Sequence, residues 1–111
     1  MIYGGELNIE YNFFYFLRRK WSIPIILTLE KRNTIRISEL KKLFPDSTEK
    51  MLIETLGLLL KNKIIKKKEY EGYPKHTEYK LTRYGIAISE ILKEIQATYS
   101  KYKDLSKEGE I

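Results

Sequence analysis

The chain contains no cysteine. That absence excludes a disulfide framework, a zinc ribbon and any thiol chemistry, including redox sensing through a Cys. Histidine is nearly missing as well: His76 is the only one, no second ligand stands at metal spacing beside it, and no metal is expected. The sequence shows no Ser, His and Asp set, no paired carboxylates and no glycine-rich phosphate loop, and Gly4 and Gly5 read as a flexible start. Nothing here looks catalytic, so neither an enzyme nor a cofactor is expected. Long apolar runs are also lacking. The longest, Ile23 to Leu29, is interrupted by Pro24 and Thr28, far short of the roughly 20 residues that span a bilayer. The charges Arg18, Arg19 and Lys20 follow the first apolar stretch where a secretory signal would have them precede it. The expectation is a cytoplasmic protein with no membrane partner.

What is present is positive charge. Lys and Arg number 21 against 15 Asp and Glu, a net charge of +6, and the pI is near 9.4. A balance of that sign favours an acidic partner, of which nucleic acid is the commonest for a small basic domain. At 111 residues there is length for one core and not for an added catalytic domain. Ile, Lys, Tyr and Glu are abundant while Cys, Met and Gln are scarce, which fits a thermophilic origin or an AT-rich genome equally.

The stretch from Ile64 to Gly85 carries the strongest local pattern. A first arm opens on Ile64 and Ile65 and continues with Lys66, Lys67 and Lys68; Gly72, Tyr73 and Pro74 supply a turn. The return arm, His76 to Leu81, alternates Thr77, Tyr79 and Leu81 with His76, Glu78 and Lys80, the period of a half-buried strand. This is a basic hairpin. Ahead of it the periodicity predicts helices over 22–32, from about Ser38 to Phe44, and from about Ser47 to Lys63 with Leu52, Leu56, Leu59 and Leu60 on one side. Ser22 is expected to cap the first of these, Pro24 to sit in its first turn, and Pro45 to end the second. Ile35 to Ile37 reads as a short β-like piece.

After the hairpin, Thr82 caps a last helix in which Ile88, Leu92, Ile95, Tyr99 and Tyr102 recur four and three residues apart, the seam of a two-helix coil. Residues 103–111 are polar and expected to fray. Before the core, 9–20 reads as a helix that is greasy nearly all round, with Ile9, Phe13, Phe16 and Leu17 on one face and Tyr11, Phe14 and Tyr15 elsewhere. Helices joined by a Pro45 to Ser47 turn and followed by a two-stranded ribbon make the plan of a winged helix-turn-helix. The expected class is mainly α with a small β part (α+β): a single domain over 1–111, with a winged-helix core at 22–85 and outer dimerisation helices at 9–20 and 86–102.

Four pieces of the chain, between about Lys20 and Leu92, then resemble the HxlR-type winged-helix regulators of the MarR/PadR-like superfamily. They are Lys20 and Trp21 with Ile25, Ile26 and Leu27; Arg36, Ile37, Ser38, Glu39 and Leu40; Lys50, Met51, Leu52 and Leu56; and Pro74, Glu78, Tyr79, Leu81, Thr82 and Gly85. The resemblance implies a homodimer built by the outer helices that presents two recognition helices to a palindromic operator. The chain departs from the pattern in lacking an N-terminal cysteine, in an unusually aromatic N-terminal segment, and in carrying Glu49, Glu54 and Gly57 where basic or amide residues are more usual.

The candidate DNA contacts follow. Thr48, Glu49, Lys50, Ile53 and Glu54, with Ser47 at the cap, lie on the face of the recognition helix opposite its leucine stripe and can reach base edges. Arg36 and Ser38 stand where a phosphate could be met. In the wing, Lys66, Lys67, Lys68, Tyr73, Lys75, His76 and Lys80 surround the turn, though alternation sends Lys67 to the face opposite Lys66 and Lys68. The candidate dimer residues are Phe13, Phe14, Leu17, Ile88, Leu92, Ile95 and Tyr99. The expected function is a homodimeric regulator, a repressor, binding double-stranded DNA, with no effector specified. A protein-interaction module whose Glu49 and Glu54 reject DNA, and a sequence-independent DNA binder, stay open as alternatives.

Overall fold

The computed structural model describes the backbone of residues 2–3, 9–10 and 15–107, and side chains from 15 to 104. Strands β1 (Ile2–Tyr3) and β2 (Ile9–Glu10) come first, then helices α1 (Ser22–Arg32), α2 (Ile37–Leu43) and α3 (Glu49–Lys61), the hairpin of β3 (Ile65–Tyr70) and β4 (His76–Leu81), and helix α4 (Arg83–Lys107). It is mainly helical, with a small antiparallel ribbon inserted between α3 and α4.

The core is one aliphatic cluster. Ile25, Ile26 and Leu29 of α1, Leu40 of α2, and Leu52, Leu56 and Leu59 of α3 are essentially without solvent contact, and Ile64, Ile65, Tyr79 and Leu81 close it from the hairpin side. The spacing of these residues along each helix is the reason the helices turn that face inward. Trp21 lies over Phe44, ring centroids 5.2 Å apart at 42°, and so joins the start of α1 to the end of α2. Ile35 pairs with Tyr79 through both backbone bonds, 3.0 and 2.9 Å, which ties the link between α1 and α2 to the outer edge of β4. Burial, and secondly the charge of Glu69, push the Tyr79 phenol above its ordinary pKa.

Four boundaries differ from the sequence reading. The helix expected over 9–20 does not form: Ile9–Glu10 pairs antiparallel with Ile2–Tyr3, and 15–17 is a single 3₁₀ turn. Residues 11–14 of that expected helix lie outside the described residues. Ser22 is not the cap of α1, because Trp21 holds that position and Ser22 is the first helical residue, fully buried, with its hydroxyl unpartnered. Of the β-like piece only Ile35 pairs, and Ile37 enters α2. The last helix runs to Lys107 where fraying was expected from 103, since no Gly or Pro interrupts Lys101 to Lys107.

The passage from α3 into β3 is the tightest part of the backbone. Past Lys61 the chain turns through Lys63 at φ 60°; Lys63 N–H donates to Leu60 O and Ile64 N–H to Leu59 O, both at 3.0 Å. This is a Schellman closure with lysine at the left-handed position that glycine prefers. Opposite it, a Cβ on Gly85 would lie 2.0 Å from Ile64 O. Two outcomes are expected in urea denaturation followed by circular dichroism. Lys63→Gly gains about 1 kcal/mol by relieving the left-handed backbone, and Gly85→Ala loses about 3 kcal/mol or fails to fold, because backbone must move.

Candidate nucleic-acid interface

Helices α2 and α3 meet through a turn in which Ser47 and Thr48 are held by bonds within the chain. Ser47 is 2% exposed; its N–H and its hydroxyl both donate to Phe44 O, at 2.9 and 2.6 Å, and Lys41 Nζ bonds Ser47 O. Thr48, fully extended at φ −105° and ψ 156°, caps α3 by accepting from Met51 N–H at 3.1 Å. The expectation for Ser47 is therefore corrected: it locks the turn from inside, Thr48 does the capping, and Ser47 is not available to a ligand.

From that cap, α3 presents Glu49, Lys50, Ile53, Glu54 and Gly57 to solvent while Leu52, Thr55, Leu56 and Leu59 are buried. Ile53 stays 49% exposed, an apolar group of the kind that meets a thymine methyl. Glu54 is not free: Arg19 Nη1 donates to its Oε1 at 3.2 Å. The sequence reading missed Arg19, treating it only as one of a run of charges, and a contact across 35 positions leaves no local signal. Arg36 is exposed at the cap of α2, yet the phosphate slot beside it is filled, because Arg36 N–H donates to Glu39 Oε1 at 2.9 Å and Glu39 Oε2 lies 3.8 Å from Arg32. Arg36 can offer its guanidinium and Ser38 its hydroxyl, while the Arg36 N–H is already taken.

The hairpin register sorts the wing residues. Lys66 faces Lys80, Lys68 faces Glu78 and Tyr70 faces His76, and these alternate with Ile65 and Leu81, Lys67 and Tyr79, and Glu69 and Thr77. One face thus carries Lys66, Lys68 and Lys80 together. Lys67 is on the other, 3.7 Å from Glu69. At the tip Tyr73 is wholly exposed, and Lys75 reaches Glu71 at 3.9 Å with both side chains in water. His76, expected as an exposed strand residue, is half-buried: its ring stacks on Tyr70 at 4.6 Å and 12°, with Nε2 3.3 Å from Glu78 Oε2. Cross-strand aromatic pairing explains the difference.

A family model described as HxlR-like helix-turn-helix matches residues 16–107. The chain belongs to that family. Among curated relatives, an uncharacterized HTH-type transcriptional regulator, YkvN of Bacillus subtilis, is 36% identical over 68% of this chain and 64% of its own. A regulatory protein named MalR from Fusobacterium mortiferum is 35% identical over 78% of this chain and 81% of its own. Of solved structures, a Porphyromonas gingivalis chain named for the MarR family of transcriptional regulators superposes with a TM-score of 0.72 at 33% identity, covering 90% of this chain and 96% of that one. The regulator YodB of Bacillus subtilis in its reduced form gives 0.70 at 26%, covering 83% and 89%. The chain is thus a helix-turn-helix transcriptional regulator with a winged-helix fold.

Within that HxlR-like frame, α3 is the second helix of the helix-turn-helix and β3–β4 the wing. Among the expected dimer residues, Phe13 and Phe14 lie outside the described residues. Leu17 and Ile88 are half-buried against the chain's own core, and Leu92 is 7% exposed within it. Ile95 and Tyr99 remain open, 60% and 68% exposed. The sequence reading missed Tyr84 and Ile91, which are also exposed and lie on the same side of α4 as Ile95 and Tyr102 at helical spacing. No group of three metal-binding side chains gathers among the described residues, and no described helix is long and apolar enough to cross a membrane. The turn makes a checkable claim about this site: Thr48→Ala should lower stability by about 1 kcal/mol through loss of the cap, read as a lower urea midpoint at unchanged slope.

Proposed function

We infer that the chain acts as a homodimeric, sequence-specific binder of double-stranded DNA and represses transcription by occupying its site. The observation that carries the DNA reading is the outward side of α3, where Thr48, Glu49, Lys50 and Ile53 stand uncovered beyond a turn locked by Ser47 and capped by Thr48. Lys50 suits the paired acceptors of guanine, Glu49 the amine of cytosine and Ile53 a thymine methyl. Lys66, Lys68 and Lys80 on one wing face suit phosphates, which position a protein without reading sequence. Tyr73 at the tip is free to lie along a sugar or the minor groove. Arg36 and Ser38 add contacts from the preceding helix.

The homodimer rests on α4. Once Ile88 and Leu92 have been used by the core, Tyr84, Ile91, Ile95, Tyr99 and Tyr102 still form an exposed apolar stripe on a helix of 25 residues. A stripe of that size on a lone chain is unfavourable in water, and a second copy covers it symmetrically. Two wings and two reading helices then match a palindrome. YodB has been solved in reduced and diamide-treated forms, whereas these 111 residues hold no cysteine, so control by a thiol does not operate within them.

Binding to duplexes selected from a random pool tests the reading. Affinity should fall steeply with salt, and replacing Lys66, Lys68 and Lys80 together by alanine should flatten the log–log salt slope by about 3 while weakening all duplexes alike. Lys67→Ala should leave the slope nearly unchanged, and Lys50→Ala should alter the selected sequence. Equal affinity for every duplex would support the architectural alternative, and no binding at low salt would overturn the DNA reading. For the dimer, light scattering should give twice the chain mass, and Ile95→Glu with Tyr99→Glu should give the monomer.

A further inference from the structure

The pair between Arg19 and Glu54 is dispensable for the fold. Its side chains are 48% and 41% exposed, and ion pairs so open to water contribute little to stability. Its location gives it another role. Glu54 leaves α3 one turn beyond Lys50 on the outward side, where a bound duplex would bring phosphates on both flanks. An unpaired carboxylate there is opposed twice, by repulsion from those phosphates and by loss of its hydration.

Arg19 answers both problems before any ligand arrives. Nη1 already bonds Oε1, so the negative charge is partly offset and the carboxylate is engaged by the segment ahead of α1. The surroundings reinforce this. A groove of about 620 Å³ runs between the 15–17 turn and α3; Arg18, Arg19 and Lys61 line it, and Glu54 is its one carboxylate among the described residues. Arg18 is itself held, bonded to the Tyr15 hydroxyl and stacked on that ring at 4.8 Å. Gly57, with nothing within 4 Å of a Cβ, leaves the groove floor open beside the pair.

We propose that Arg19 is a positioning residue for DNA recognition, acting through Glu54: it holds this carboxylate in an ion pair, so that Glu54 reads no base and α3 reads with Lys50 and Ile53. The proposal rests on the DNA-binding reading given above and deepens it. It turns a departure from the family pattern, an acidic residue on the reading helix, into a contact satisfied within the chain.

A double-mutant cycle decides the matter. Wild type, Arg19→Ala, Glu54→Gln and the double variant are titrated with one selected duplex at fixed salt, their base preferences are selected from random duplexes, and their melting temperatures are recorded. Arg19→Ala should weaken binding about tenfold and bring in a cytosine preference as the freed carboxylate finds an amine. Glu54→Gln should tighten binding about threefold by removing a charge that faces phosphate. The double variant should bind within about twofold of Glu54→Gln, the non-additivity that marks action through a partner. Melting temperatures of all four should agree within about 3 °C, because the pair is exposed. Equal losses on removing Arg19 in both backgrounds would mean that Arg19 touches DNA itself and would overturn the proposal, as would no loss at all. If none of the four proteins binds any duplex, the DNA reading falls and takes the proposal with it, an outcome distinct from either.

Discussion

One backbone carbonyl organises this molecule. Ile64 O accepts from Thr82 N–H at 3.0 Å and lies 3.1 Å from the Thr82 hydroxyl, while that hydroxyl donates to Lys63 O at 2.6 Å and accepts from Gly85 N–H at 3.0 Å. Four element ends therefore converge on one corner: the exit of α3, the entry of β3, the exit of β4 and the entry of α4. Gly85 is glycine because this carbonyl occupies the space of a side chain. The direction of the reading helix, the angle of the wing and the course of α4 are all set relative to that point. A change there cannot be absorbed by one element, because each is anchored through the same few atoms.

The charges divide by partner in a way that net charge conceals. Arg19 with Glu54, Lys93 with Glu30 and Lys67 with Glu69 are pairs inside the chain, and Glu39 is shared by the α2 terminus and Arg32. What is left on the wing without a carboxylate partner among the described residues is a single row of three lysines, Lys66, Lys68 and Lys80. Lysine is suited to this use, since a compact cation on a flexible stem follows a phosphate without demanding a fixed geometry. Helix α3, by contrast, presents one exposed lysine near its start, Lys50, beside Glu49 and Ile53.

The sequence disclosed this architecture unevenly, and the differences have physical causes. Helix α1 ended at Arg32, the return strand ran from His76 to Leu81, and Thr82 capped α4, as the periodicity and turn residues indicated. These features are local, decided by residues within a turn of one another. At the N-terminus the helical spacing of Ile9 with later residues was overridden at Ile9–Glu10 by pairing with Ile2–Tyr3, a contact between segments that spacing does not encode. Ser47 was misplaced by one residue at a cap, since Ser and Thr in sequence are both competent there and only packing chooses between them. His76 looked exposed because alternation predicts sides of a strand and says nothing of a neighbour such as Tyr70 covering one. Arg19 could not be connected to Glu54 at all without coordinates. Ile88 and Leu92 were assigned to a partner that the chain's own core replaces, and the stripe that stays exposed is displaced around the helix from the one that the heptad spacing suggested.

The stacked Tyr70 and His76 close the far end of a ribbon whose near end is pinned by Ile35 and Ile64. A two-stranded ribbon alone is marginal in water, and a flexible one must surrender its freedom on meeting a ligand. With Lys68 resting over the Tyr70 ring at 5.0 Å, the strands and one of the cations are ordered in advance, leaving only the Tyr73 tip without support. Most of the ribbon's ordering entropy is thus lost during folding, so encounter with a polyanion costs less freedom and tolerates a weaker set of contacts.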